Sequence, residues 1–415
     1  MISRWNNRMR NSGLADKELA PFYIYYTVVF MSMATVTTFL NVYFEETLGF
    51  SLTQVGIIAS VGPLVSIFAQ PMWGVLSDRT NRRRVLMILT SGLIIVALLF
   101  PLHYAFAYVV FMAIFYTMFT NSMGPMADAI TLQAVEKKRI KFNTIRMMGT
   151  ISYGLMALVV GHLVGEEFVR IFYFQAVLVG VALFAVFWMP NVQDASSGTN
   201  DAPVRPSLKE SLKELLGNKM VLCVLLSTLV FALATTFYHS FVAIQLRNLG
   251  ATEAQVGRAV FLAAASEVPV LLFVSRLFGK RKPIHLLMIV GAFMTVRLLL
   301  LYVADVQDSL ALTVSTQLLH GLTFMLHFYF STVLLNKYAP LHLKSTVQSL
   351  NAVMRAIAAM LGAGLGGMLA DQWGIGQIYL WLSIFVFALC FILPGIFAVI
   401  YRDKVRQMDG VVEGG

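Results

Sequence analysis

Residues 74–84 read Gly74-Val-Leu-Ser-Asp78-Arg79-Thr-Asn-Arg82-Arg83-Arg84, a burst of charge between two long stretches that carry none. Residues 47–77 upstream and 85–127 downstream contain no Asp, Glu, Lys or Arg. A helix covers the hydrocarbon core of a bilayer with about 20 apolar residues. The first stretch is therefore one span, and the second, broken at Pro101-Leu-His103, is two.

The same pattern continues in both directions. Further charge-free runs cover residues 19–44, 147–165, 171–193, 220–246, 309–336 and 372–401, and three more runs hold one charge each, at Glu267, Arg297 and Arg355. Twelve spans are predicted: 20–45, 53–77, 84–103, 106–132, 143–164, 167–189, 220–245, 253–277, 283–303, 308–336, 346–370 and 375–400.

Composition agrees. The 415-residue chain is 58% hydrophobic and 13% charged, against about a quarter charged in soluble domains. Cys223 and Cys390 both fall in apolar runs, so neither a disulfide framework nor a metal-type spacing is expected, and no metal or cofactor is called for. The net charge of +10 is orientation rather than a nucleic-acid face: of the 31 Lys and Arg, all but Arg170, Arg247, Arg258 and the three inside spans lie in the termini or after even-numbered spans. By the positive-inside rule both termini are cytoplasmic. The expected location is the plasma membrane, multi-pass, and residues 1–17 are too polar for a cleavable leader.

Residues 191–219 form the one long connection. It begins polar and ends Pro206-Ser-Leu-Lys-Glu-Ser-Leu-Lys-Glu-Leu-Leu216, where Ser207 and Glu210 have capping-box spacing. Leu208, Leu212, Leu215 and Leu216 share one face, so a short amphipathic helix spacing two halves is expected. The predicted architecture is an all-α membrane protein: a six-helix bundle (1–190), this cytoplasmic linker, a second six-helix bundle (220–402) and a cytoplasmic tail (403–415). Pseudo-two-fold symmetry would relate the bundles around a central cavity.

The Gly74–Arg84 stretch resembles the major facilitator superfamily signature Gly-x-x-x-Asp-Arg-x-x-Arg-Arg, at the place where that family carries it. The resemblance implies that Gly74, Asp78, Arg79, Arg82 and Arg83 form a cytoplasmic gate, made in one transport state and broken in the other. The loop after span eight, Ser275-Arg276-Leu-Phe-Gly279-Lys280-Arg281, echoes it without the Asp. Span five, Arg146-Met-Met-Gly149-Thr-Ile-Ser-Tyr153, is similar to the lactose permease and 3-phenylpropionate permease group of proton symporters, in which the Arg binds solute hydroxyls and the aromatic stacks on the solute. Asp128 stands where that group has an acidic partner. Span ten, Gln317-Leu-Leu-His320-Gly-Leu-Thr323, keeps the group's His but has lost its Lys and Glu.

Charge inside a span is costly, about +3 kcal/mol at a helix centre on insertion scales, so such residues face a wet cavity or one another. Asp128 and Arg146 flank the turn between spans four and five at similar depth, which permits a salt bridge. Glu267, in Ala265-Ser-Glu267-Val-Pro269, suits a proton-carrying carboxyl, with Arg297 on span nine placed to neutralise it or set its pKa. His320 either carries a proton or stays neutral and hydrogen-bonds. His239 is a cavity candidate, and His327 is expected to pack. Arg355 faces either the cavity or the cytoplasmic surface, and Gly362, Gly364, Gly366 and Gly367 beyond it permit close packing or bending.

The expected function is a proton-coupled symporter that imports a small polar organic solute (sugar, nucleoside or aromatic acid) by alternating access. Solute binding falls to Asp128, Arg146, Tyr153, His239 and His320, and proton coupling to Glu267, Arg297, His320 and Asp128. The alternative is a proton-driven exporter of sugars or drugs. Span one has no acid before Glu45 and span five has no Pro, which favours import. No His-Glu-x-x-His, Gly-x-Ser-x-Gly or phosphate-binding loop is present, so an enzyme is not expected. The expected partners are the solute, protons and the lipid bilayer, with no nucleic acid and a monomeric state.

Overall fold

The computed structural model describes residues 18–136, 142–190, 208–278 and 283–392. Every regular element among them is helical. Among the described residues, eleven helices are long and apolar enough to cross a membrane. The first six are Ala20–Thr47, Leu52–Ser77, Arg82–Leu102, Phe106–Glu136, Thr144–Val164 and Arg170–Trp188. The others are Lys219–Asn248, Glu253–Val274, His285–Val306, Leu310–Tyr338 and Thr346–Trp373. The twelfth predicted span is described only as the shorter apolar helix Ile375–Phe391, because residues 393–400 lie outside the described set.

Local chemistry sets the span ends. Ser51 and Gln54 form a reciprocal capping box at the start of span two. Asn81 accepts from the backbone N–H groups of Arg83 and Arg84, and Asn218 from those of Met220 and Val221, starting spans three and seven. Turns after spans one, five, seven and eleven place Gly49, Gly165, Gly250 and Gly374 at positive φ, a conformation that a Cβ makes costly.

The chain divides into two compact units. Residues 1–202 with 250–261 form one; residues 203–249 with 262–415 form the other. The start of span eight thus groups with the first unit. In the first unit, span one packs on spans five and six, span two on span four, and span three on spans four and six. In the second, span seven packs on spans ten, eleven and twelve, and span nine on span twelve.

The second unit shows why span eleven is glycine-rich. A Cβ on Gly362 would overlap the backbone of Leu233, and one on Gly366 the ring of Phe237. These glycines let spans seven and eleven approach closely. The linker helix Leu208–Gly217 belongs to this unit, with Leu215 buried and Glu214 3.4 Å from His342. Ser207 lies outside the described residues, so its capping-box role is not described.

Candidate functional site

In the first unit, Arg146 Nε lies 3.7 Å from Asp128 Oδ1. The same carboxylate oxygen accepts a 2.5 Å hydrogen bond from the Tyr26 hydroxyl. Tyr26 and Phe30 share one face of span one at i, i+4. The Arg146 guanidinium sits over both rings, 5.0 Å from the Phe30 centroid and 5.8 Å from that of Tyr26, a cation–π arrangement. Gly149, one turn beyond Arg146, has no side chain where the Phe30 ring lies; a Cβ there would overlap it.

Arg146 lines a cavity of about 260 Å³, and its partner Asp128 is not in the lining. This volume is near the low end of ligand pockets, about 300–1,000 Å³, and suits a small solute. The wall is rich in uncharged polar groups. Asn121 Nδ2 donates to Ser66 Oγ at 2.6 Å, and Gln70 Nε2 donates to the Asn121 carbonyl at 3.2 Å. The buried hydroxyl of Tyr25 has no partner among the described residues. Such donors and acceptors on aromatic walls fit a hydroxylated or heterocyclic solute. Tyr153 lies two turns further along span five, 3.0 Å from the Thr37 hydroxyl, and does not line this cavity.

The second unit holds a connected polar chain built on an irregular helix. Span ten runs as an α-helix over Leu310–Ser315, tightens to a 3₁₀ turn over Thr316–Leu319, widens to a π turn over Gly321–Met325 and resumes at Leu326–Tyr338. Side chains here compete for the backbone carbonyls. Thr316 and Gln317 donate to Thr313 O at 2.7 and 3.1 Å, and Thr323 donates to His320 O at 3.0 Å. The Gly321 N–H donates to Ser266 Oγ on span eight at 2.8 Å. A Cβ on Gly321 would overlap the Ser266 carbonyl, so spans eight and ten meet backbone to backbone, one residue from Glu267.

That crossing brings Glu267 Oε1 to 3.3 Å from His320 Nε2. The other imidazole nitrogen, Nδ1, lies 3.0 Å from a terminal nitrogen of Arg297. Arg297 is 1% exposed; it also donates to Thr323 Oγ1 at 3.0 Å and Gln317 Oε1 at 3.3 Å. Its guanidinium lies 3.9 Å above the Tyr238 ring, and the Tyr238 hydroxyl donates to Gln317 Oε1. Arg297 thus contacts no carboxylate among the described residues, and His320 stands between it and Glu267. His239 is exposed and edge-on to His320, with ring centroids 5.2 Å apart. His327 stacks flat on Phe231 at 4.3 Å, as packing requires.

Around the signature stretch, Gly74 and Arg82 line a second first-unit cavity of about 190 Å³. Asp78 falls in the last turn of span two, Leu52–Arg79, and Arg79 is exposed at its end. Arg83 turns back within its own unit: its Nε donates to Val186 O at 3.0 Å and a terminal nitrogen donates to Phe187 O, capping span six. Gly279, Lys280 and Arg281 lie outside the described residues.

Residues 19–381 match the MFS_1 like family, which is most of the chain. The chain belongs to that family. It is accordingly a multi-pass membrane transporter of the major facilitator type and not an enzyme. It is 26% identical to a maltose permease of Geobacillus stearothermophilus over 370 residues, covering 88% of this chain and 90% of the permease. A putative nucleoside transporter of Escherichia coli is 24% identical over 389 residues, covering 88% of each chain. Among solved structures, the nucleoside transporter NupG superposes with a TM-score of 0.80 at 15% identity, covering 92% of this chain and 99% of that one.

As a member of this family, the chain holds more of its polar sites in uncharged residues than its charge pattern reveals. Tyr26, Phe30, Ser66, Gln70 and Asn121 around Arg146, and Tyr238, Gln317 and Thr323 around Arg297, carry no charge. In an apolar helix each reads as an ordinary packing residue.

Proposed function

We propose that this transporter is a proton-coupled symporter that imports a small polar organic solute across the plasma membrane by alternating access. The observation that supports it best is the Glu267–His320–Arg297 chain. A guanidinium can only donate hydrogen bonds, so His320 Nδ1 accepts from Arg297 and its Nε2–H points to Glu267. The imidazole is then neutral, because a proton on Nδ1 would oppose the Arg297 N–H. Glu267 is the group left to take and release the transported proton. With the carboxylate charged, the neutral imidazole links it to Arg297; with it protonated, that link weakens and span eight can shift against span ten.

The solute binds in the first-unit cavity, with Arg146 held by Asp128 and Tyr26 and the amide and hydroxyl groups of spans one, two and four around it. Relatives named for maltose and nucleosides are consistent with a polyhydroxylated or heterocyclic solute. The absence of an acid in span one before Glu45 supports import. The test is a panel of maltose, uridine and benzoate added to proteoliposomes with a pH dye in the external medium. External alkalinisation on adding one of them supports the reading, and labelled solute entering without proton movement contradicts it.

A further inference from the structure

We propose that the second unit carries an anion subsite at Arg355, which takes the carboxylate of an organic monoanion. The inference rests on the solute-transport reading and adds to the first-unit solute cavity a second-unit subsite for carboxylate-bearing solutes.

Arg355 lies eleven residues past Lys344, where span eleven begins, so about 16 Å along the helix and near the middle of a core about 30 Å thick. Its guanidinium faces the Phe328 ring at 5.7 Å. Among the described residues no carboxylate, carbonyl or hydroxyl accepts from it. The other arginines inside spans differ: Arg146 has Asp128, and Arg297 has His320, Gln317 and Thr323. A cation at this depth is costly unless something compensates it, and the protein supplies Arg355 with nothing but a ring face.

What it supplies instead is space. Arg355 lines a cavity of about 190 Å³ with Thr235, Thr236, His239, His327 and Phe328. The hydroxyls of Thr235 and Thr236 have no partner among the described residues. His327 is 8% exposed and its Nε2 is likewise without a partner. A guanidinium fork matches a carboxylate bidentately, and the hydroxyls and imidazole can complete its hydrogen bonds. Arg355 is the one permanent cation in this lining, which suits a monoanion rather than a phosphate dianion. The Phe328 face and the imidazole rings suit a compact or planar body behind the carboxylate.

The cavity also adjoins the proton site. His239 lines it and lies edge-on to His320 at 5.2 Å, and His320 contacts Glu267. An anion at Arg355 and a proton on Glu267 would offset each other's charge within one unit, so each favours the other, which is what symport needs.

Thermal unfolding of the purified protein in detergent tests this without transport. The probes are millimolar sodium benzoate against benzamide, and sodium glucuronate against glucose, with sodium chloride as the ionic control. At least one acid is expected to raise Tm by about 2–4 °C while its neutral counterpart and chloride do not. Arg355→Gln should abolish the shift and Thr236→Val should reduce it; the wild-type acid–neutral contrast stands even if a variant fails to fold. Equal stabilisation by the neutral compound, a shift from chloride alone, a shift that survives in Arg355→Gln, or no shift with either acid overturns the proposal. Glu267→Gln should retain the acid-specific shift, so a failure of proton coupling leaves this subsite standing and its own failure leaves the coupling standing.

Discussion

His320 Nδ1 lies 3.0 Å from a guanidinium nitrogen of Arg297, and this contact fixes the direction of the imidazole. Because a guanidinium can only donate, a neutral imidazole in this geometry carries its hydrogen on Nε2, 3.3 Å from the Glu267 carboxylate.

Nitrogen NMR on histidine-labelled protein reads this directly. His320 should show an unprotonated Nδ1 and a protonated Nε2, unchanged between about pH 6 and 8, across the reference range for a free imidazole. If His320 gains a proton in that interval, the imidazole rather than Glu267 is the carrier.

Glu267→Gln keeps a hydrogen-bonding partner for His320 but removes the titrating group. Solute counterflow at equal concentrations should continue, while gradient-driven accumulation should fall at least about tenfold, roughly 1.4 kcal/mol. Uphill uptake at wild-type levels in this variant would remove Glu267 from the coupling path.

The Tyr26–Asp128–Arg146 cluster gives a graded series. Asp128→Asn and Arg146→Gln should each abolish solute binding in equilibrium dialysis while the protein stays folded. Tyr26→Phe loses one hydrogen bond to a charged group, about 1.5–3 kcal/mol, and should weaken binding by about tenfold or more. Unaltered binding in Arg146→Gln would place the solute elsewhere.

At the crossing of spans eight and ten, Gly321→Ala puts a Cβ into the Ser266 carbonyl. Overpacking of this kind costs about 1–3 kcal/mol, so Tm should drop and uphill uptake should fail with it. Ser266→Ala removes the bond from the Gly321 N–H and the hydroxyl's own bond to the Ala263 carbonyl, and should cost about 1–2 kcal/mol, leaving uptake near normal. Equal effects of the two would show that backbone contact at Gly321 is not what places Glu267 beside His320.

The spans were legible because a bilayer demands long apolar runs, and each described boundary falls within a few residues of its expected place. The Asp128–Arg146 contact was legible for the same reason: two charges flanking one turn have few other places to go. Tyr26 was not, since 102 residues separate it from Asp128 and a tyrosine in an apolar helix carries no mark of its partner. The π turn at Gly321–Met325 was equally hidden. No proline announces it, and the Thr and Gln side chains that bond backbone carbonyls there carry no mark of it in the sequence. His320, at the junction of the 3₁₀ and π turns, contacts both Glu267 and Arg297.

The most direct test of the whole account is uphill solute uptake into proteoliposomes under an imposed inward proton gradient, with and without a protonophore. The account predicts accumulation above the external concentration that collapses to equilibrium when the protonophore is added. Accumulation that persists after the gradient is dissipated would contradict it.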